Sequence, residues 1–248
     1  VVPDDQDSAV AVDRTLDDSK AHRVVSEYDL SASEAAARRA EDAGATLDAV
    51  SASNAKADDL KVKKSIRSRG PAELCMIADE AFAFADARVT ARALATLVRG
   101  IGEVDLVVCG DGSADMYAGQ VDVQLAAELG MPVVNAVTSI KLEDGVAVVE
   151  RTLPDVAEEI EVPLPAGVAV TPEGAYPRIA GMREILTAGK KPATVTSAAD
   201  AGVDVSAAVE IASVTAPEQA ARKRQVFDMK NDGDFDAFAS AVAAAVRA

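Results

Sequence analysis

The sequence predicts an α/β fold built on a doubly wound, mostly parallel sheet, with an antiparallel hairpin and a C-terminal arm appended. Three observations carry this expectation. Alanine-rich amphipathic segments alternate with short Val/Leu runs as far as residue 140, the rhythm of strands joined by crossover helices. Glycine or proline closes most of the helical segments. From 145 to 172 two strand-like stretches follow with no helix between them, which reads as a hairpin.

Taken in order, SASEAAARRAEDAG (31–44) offers Ser31 as N-cap, with Glu34 at the capping-box spacing and Gly44 as the stop. TLDAVSA (46–52) reads as a strand, LKVKKSIRSRG (60–70) as a helix and AELCMIA (72–78) as a strand. FADARVTARALATLVRGIG (84–102) carries apolar residues at helical spacing. Strand LVVCG (106–110), helix VDVQLAAELG (121–130) and strand VVNAVTSI (133–140) follow. GVAVVERTL (145–153) and EEIEVPLPAGVAVTP (158–172) form the expected hairpin, and 175–192 is a loop with a short helix. Residues 193–233 lack periodicity and read as an extended arm before a terminal helix, DFDAFASAVAAAVRA (234–248). The expected division is therefore 1–192 and 193–248.

Composition narrows the function. The 248 residues are 49% apolar and 27% charged, ordinary for a globular protein with a substantial core. A net charge of −16 argues against nucleic acid or an anionic membrane as the main partner. The chain has one histidine, His22, and two cysteines, Cys75 and Cys109, in apolar runs; a zinc site or a Ser-His-Asp triad is not expected, and the thiols read as small buried hydrophobes. No run approaches the roughly 20 apolar residues of a membrane span. A cytoplasmic, reducing location is expected.

In a doubly wound sheet, ligands sit beyond the carboxyl ends of the strands. The stretch LVVCGDGSADMYAGQVDVQL (106–125) places such a strand end before a helix starting near Gln120, whose free N–H groups favour an anion such as phosphate. Gly110, Gly112 and Gly119 allow close approach of the backbone, and Ser113 and Gln120 supply donors. Asp111 and Asp115 suit ribose hydroxyls or loop capping better than phosphate. The spacing is neither GxGxxG nor GxxxxGK[ST], so a plain βα turn with an aspartate cap stands beside the nucleotide reading.

Several segments, in order, resemble the beta subunit of electron transfer flavoproteins, with the FixA-type branch nearest: VVPDDQDSAV (1–10), SEYDLSASEAA (26–36), SRGPAEL (68–74), CGDGSADMYAGQV (109–121), VERTLPDVAEEIEVPLPAGVA (149–169) and AGKKP (188–192). The family's opening strand precedes the Val-Pro-Asp segment and is expected ahead of Val1. Asp122 stands where the family usually has glycine, and Pro154 and Gly167 also depart from its pattern.

The resemblance implies a Rossmann-like fold of the adenine-nucleotide alpha-hydrolase-like type and an electron-carrier subunit rather than a stand-alone catalyst, with no catalytic residue and no metal of its own. The implied companion is a FixB-like alpha subunit that shares an FAD, and the beta crevice would take AMP or a second FAD. The implied cofactor-binding residues are Ser26, Ala52, Gly110, Asp111, Gly112, Ser113, Asp115, Gln120, Val121, Asp122 and Val123. Arg151 and Glu158 are implied near the flavin, with a solvated sheet face as the alternative. The loop 175–192 resembles the element that docks dehydrogenase or quinone-reductase-type redox partners, with Met182 as apolar anchor beside Arg178, Arg183, Lys190 and Lys191; Met182 packed in the chain's own core is the alternative. A different class of function, a stand-alone adenine-nucleotide sensor of the universal-stress type, shares the sheet and crevice but leaves the hairpin and the 175–192 loop without a role.

Overall fold

The computed structural model describes residues 1–218, 224–228, 230–231 and 233–247. Two short antiparallel pairs open it: β1 (Val2–Pro3) with β4 (Arg23–Val24), and β2 (Ala9–Val10) with β3 (Leu16–Asp17). Helix α1 (Glu27–Ala43) stops at Gly44, whose φ of 62° is the left-handed conformation that ends a helix cheaply only at glycine. The capping box expected at Ser31 is corrected: α1 begins a turn earlier, with Ser26 as N-cap, and Ser31 and Glu34 lie inside the helix on its buried face.

β5 (Ala49–Ser53), helix α2 (Leu60–Arg67) and β6 (Leu74–Ala78) follow. Helix α3 (Ala87–Ile101) starts three residues later than the sequence pattern implies, because the Asp86 carboxylate accepts from Val89 N at 2.9 Å and fixes the start there. β7 (Leu106–Gly110) and helix α4 (Val121–Leu129), closed by Gly130, match their expected spans closely.

β8 (Val133–Glu143) runs past residue 140, turns at Asp144–Gly145 with φ of 46° and 83°, and pairs antiparallel with β9 (Val146–Thr152). Two central residues at positive φ match the strand twist, which is why Asp-Gly closes hairpins. β10 (Ala157–Pro163) continues this ribbon. The expected single strand 158–172 is corrected: its second half, β11 (Ala166–Val170), leaves the ribbon and inserts in parallel between β7 and β8, with all five residues buried.

The parallel strands fall in two sheets, ordered β10-β9-β8-β11-β7 and, with β12 (Ala193–Thr196), β12-β6-β5. In the larger sheet Leu106, Val108, Ala166, Val168 and Val170 pack with Ala32 and Ala35 of α1, whereas Val107 packs with Leu125 and Leu129 of α4. Side chains alternate across a strand, so α1 and α4 cover opposite faces. This is the doubly wound α/β architecture, and it brings the start of α1 and the start of α4 to the same end of β7.

After α5 (Met182–Ala188), β12 pairs in parallel with β6, and the chain forms two compact units, Val1–Val214 and Thr215–Ala248. In the second, α6 (Asp234–Val246) carries Phe238, packed edge-on against Phe227 with ring centroids 5.7 Å apart. Parts of the expected arm and terminal helix, residues 219–223, 229, 232 and 248, lie outside the described residues. Among the described residues no helix is long and apolar enough to cross a membrane, and no group of His, Cys, Asp and Glu is arranged to hold a metal ion.

Candidate functional site

The crevice at the end of β7 is built by the close approach of two backbones. A Cβ on Gly110 would lie 2.8 Å from Tyr28 Cβ and 2.9 Å from the Tyr28 carbonyl carbon, so only glycine lets the first turn of α1 rest on the strand end. The Asp29 backbone lies against the same glycine, its N 3.1 Å from that Cβ position. The loop then folds back on α1: Ala114 N donates to Ser26 Oγ at 3.2 Å, and Ser26 is only 1% exposed.

Within the loop, Asp115 Oδ1 accepts from Ser113 Oγ at 2.6 Å and from Met116 N at 2.7 Å, while Tyr117 N donates to Ser113 Oγ at 3.3 Å. Tyr117, at a φ of 41°, lays its ring over Gly112, where any Cβ would overlap it, and 5.3 Å from the Tyr28 ring. Gly112 therefore lies beneath a tilted pair of aromatic rings. Ser113 and Asp115 are engaged in holding the loop's shape, and the tyrosine pair is the component that sequence reasoning missed as a unit.

Helix α4 opens from this loop with Gln120 as N-cap, whose side chain makes no capping bond. Asp122 lies in the first turn of the helix. It is 4% exposed, and burial outweighs the favourable field of the neighbouring backbone N–H groups of Val123 and Asp122, so its pKa is pushed up. It lies on the wall of an apolar cavity of about 10 Å³ shared with Cys109, Leu125 and Val133, room for at most a single water. The chain thereby puts a carboxyl group at the positive end of the helix.

Three carboxylates, Asp29, Asp111 and Asp122, thus surround the end of β7, and burial pushes the pKa of each one up. Asp111 and Asp122 also repel each other, and Asp111 Oδ1 is buried without a hydrogen-bond partner. Burial and these same carboxylates push the Cys109 thiol far up; its Sγ lies 3.7 Å from the Val168 carbonyl. That thiol is packing, not a nucleophile. The chemistry on offer is acceptor-rich: its carboxylates suit hydroxyl donors of a ribose or ribityl chain better than a phosphate, for which the loop offers backbone N–H groups and the Gln120 amide.

The remaining candidates are dispersed. Ala52 lies on β5 and packs against the Ile77, Phe82, Val89 and Ala93 cluster. Arg151 and Glu158 face each other across β9 and β10, with Arg151 Nε and an Nη atom 2.9 and 2.6 Å from Glu158 Oε2. His22 is a surface residue bonded to Asp7 at 2.7 Å.

Met182 opens α5 and is 75% exposed, with Ile179 at 96% and Leu186 at 66%; the alternative of a core methionine is excluded. Arg183 and Lys190 are exposed beside this ridge. Arg178 and Lys191 are not free. Arg178 is bound to Glu34 and Glu41, and Lys191 Nζ donates to the carbonyls of Arg67, Gly70 and Pro71, tying down the end of α2.

The description of the electron transfer flavoprotein domain matches residues 13–201. That span contains the crevice, the hairpin and the exposed ridge, and it covers most of the chain. With the α/β architecture and the loop geometry in place, the match fixes the lineage: the chain belongs to the electron transfer flavoprotein family.

Proposed function

We propose that this chain is the beta-type, FixA-like subunit of a heterodimeric electron transfer flavoprotein, passing electrons between a dehydrogenase and a downstream, quinone-reductase-type acceptor. The observation that carries the proposal is the ridge of Ile179, Met182 and Leu186, apolar side chains standing in solvent beside Arg183. A protein gains nothing from such exposure by itself. A flexible thioether on a short helix suits transient docking to a partner surface with an apolar recess and an acidic rim.

Its companion is a FixB-like alpha subunit carrying most of an FAD site, towards which Arg151 and Glu158 would present their ion pair. The flavin, when bound, supplies the electron-accepting ring; this chain's residues position it and set its local field. The crevice at 110–123 takes an adenine nucleotide, AMP or a second FAD. The acceptor-rich lining fits its sugar: Asp111 Oδ1, buried without a partner, would accept from a sugar hydroxyl, and the tyrosine pair would wall the cleft. The fit to the phosphate is poorer, since Asp122 already occupies the helix start. Ser26 and Ala52 belong to the adenine side of that pocket in this reading, and the cytoplasm is its setting.

Co-expression with the alpha-type chain tests the proposal. A yellow heterodimer is expected, reducible by a flavin-dependent dehydrogenase. A colourless chain that ignores its companion would refute it.

A further inference from the structure

Ser31, Glu34, Arg38 and Glu41 recur at intervals of three and four along α1 and so form one stripe of the helix. Every member of the stripe grips the segment 172–178. Ser31 Oγ donates to the Pro172 carbonyl at 3.1 Å, and an Arg38 Nη atom reaches the Tyr176 carbonyl at 3.5 Å. Glu34 accepts from Arg178 N at 3.1 Å and Nε at 2.6 Å, and Glu41 accepts from an Arg178 Nη atom at 2.6 Å. Arg38 Nε closes on the other oxygen of Glu34 at 2.7 Å. Glu34 is 4% exposed, a carboxylate nearly out of water between two guanidinium groups.

Burial alone would raise the Glu34 pKa; the Arg178 and Arg38 hydrogen bonds outweigh it and hold it below the usual range, and Arg178 holds Glu41 down as well. Directly beyond this anchorage the chain turns outward, with Ile179, Met182 and Leu186 in solvent. Left untethered, such a segment would fold its apolar side chains back onto the protein surface.

We infer that Arg178 is a positioning residue, the moving half of a latch whose fixed half is the α1 stripe, and that the latch holds the 179–186 ridge in its docking conformation. This rests on the docking reading of the ridge given above. It reassigns Arg178, which then serves the partner without touching it, and makes Glu34 a determinant of docking from a position no partner can reach.

Hydrogen exchange on the full-length chain tests the latch without any partner. Arg178→Gln and Glu34→Gln are each expected to speed amide exchange in 175–188 by about tenfold or more, leaving β7 and β11 unchanged. The double variant should go no further than the worse single one, because the two residues act as one unit. Arg178→Lys should recover only part, since it keeps the charge and loses the planar fork. In the wild-type chain the segment should loosen as pH falls below the usual carboxylate range, and Glu34→Gln should flatten that profile. In the assembled complex, Arg178→Gln should raise the KM for the reducing dehydrogenase with kcat unchanged.

Unchanged exchange of 175–188 in both single variants would overturn the latch, even if docking weakened. Met182→Ala separates the two ideas: it should weaken docking with normal exchange, and full docking by that variant would refute the ridge reading rather than the latch. Should Glu34→Gln unfold the chain, Arg178→Gln, whose side chain is the more exposed, carries the test alone.

Discussion

Glu34 and Asp122 are equally buried, each 4% exposed, yet their surroundings drive them in opposite directions. Glu34 accepts from Arg38 and Arg178, and its pKa is lowered; Asp122 faces an apolar cavity, with only helix N–H groups in support, and its pKa is raised. Burial therefore does not decide what a carboxylate does to this fold; the partner does. One carboxylate fastens the segment that leads into the exposed ridge, and the other lies at the start of α4 beside the end of β7. Helix α1 joins the two regions, its first turn resting on Gly110 and its middle gripping the 172–178 segment.

The largest effect is expected where the two regions share a support. Gly110→Ala drives a methyl group into the Tyr28 backbone and should lower stability by about 3 kcal/mol, measured by urea unfolding. A loss below about 1 kcal/mol would mean that α1 gives way easily and that the regions are not coupled through it.

Glu34→Gln comes next, at about 2 kcal/mol, a value discounted because Arg178 is partly solvated. The sign with pH follows from the lowered pKa. The Glu34 contribution is fully present above the ordinary glutamate value of 4.5 and is lost as pH falls through the lower folded value. The difference between wild type and Glu34→Gln, followed by thermal unfolding, should therefore shrink only in acid.

Asp122→Asn should have the opposite sign, a gain of about 1 kcal/mol at neutral pH, because asparagine keeps the shape of the side chain and removes the desolvated charge. The penalty relieved is absent below the ordinary aspartate value of 3.8 and grows as pH rises through the elevated folded value. The gain should accordingly vanish in acid. A loss of stability at neutral pH would show that the charge is compensated.

The smallest effect on stability belongs to Arg151→Ala, about 0.5 kcal/mol for a half-exposed cross-strand pair. If the pair lies near the flavin, the same substitution should lower the flavin midpoint potential measurably, because removing a cation disfavours the reduced, anionic ring.

Much of the architecture is legible in the sequence, for identifiable reasons. The β7 run, the α4 span and the glycine stops are local signals of period and conformation, and tertiary structure leaves them alone. Ser31 and Glu34 misled because the spacing of a capping box is also the spacing of neighbours on one helix face, and the fold uses them as the latter. β11 reads as part of the hairpin because a central strand of small apolar residues has no signature of its own beside β10. β12 has four residues and no period to read.

The site was half legible. The acidic loop and the exposed methionine are visible in the sequence. Which aspartates are desolvated depends on contacts tens of positions apart, and that Arg178 is already occupied depends on contacts across more than a hundred.

The nucleotide content of the purified complex tests the central claim most directly. Denaturing the heterodimer of this chain with its alpha-type companion and separating the released material by chromatography should yield FAD together with AMP, or FAD at twice the complex. Asp122→Asn should retain the beta-site nucleotide more tightly. A heterodimer that releases no adenine nucleotide beyond the single shared FAD would contradict the account of the β7–α4 crevice.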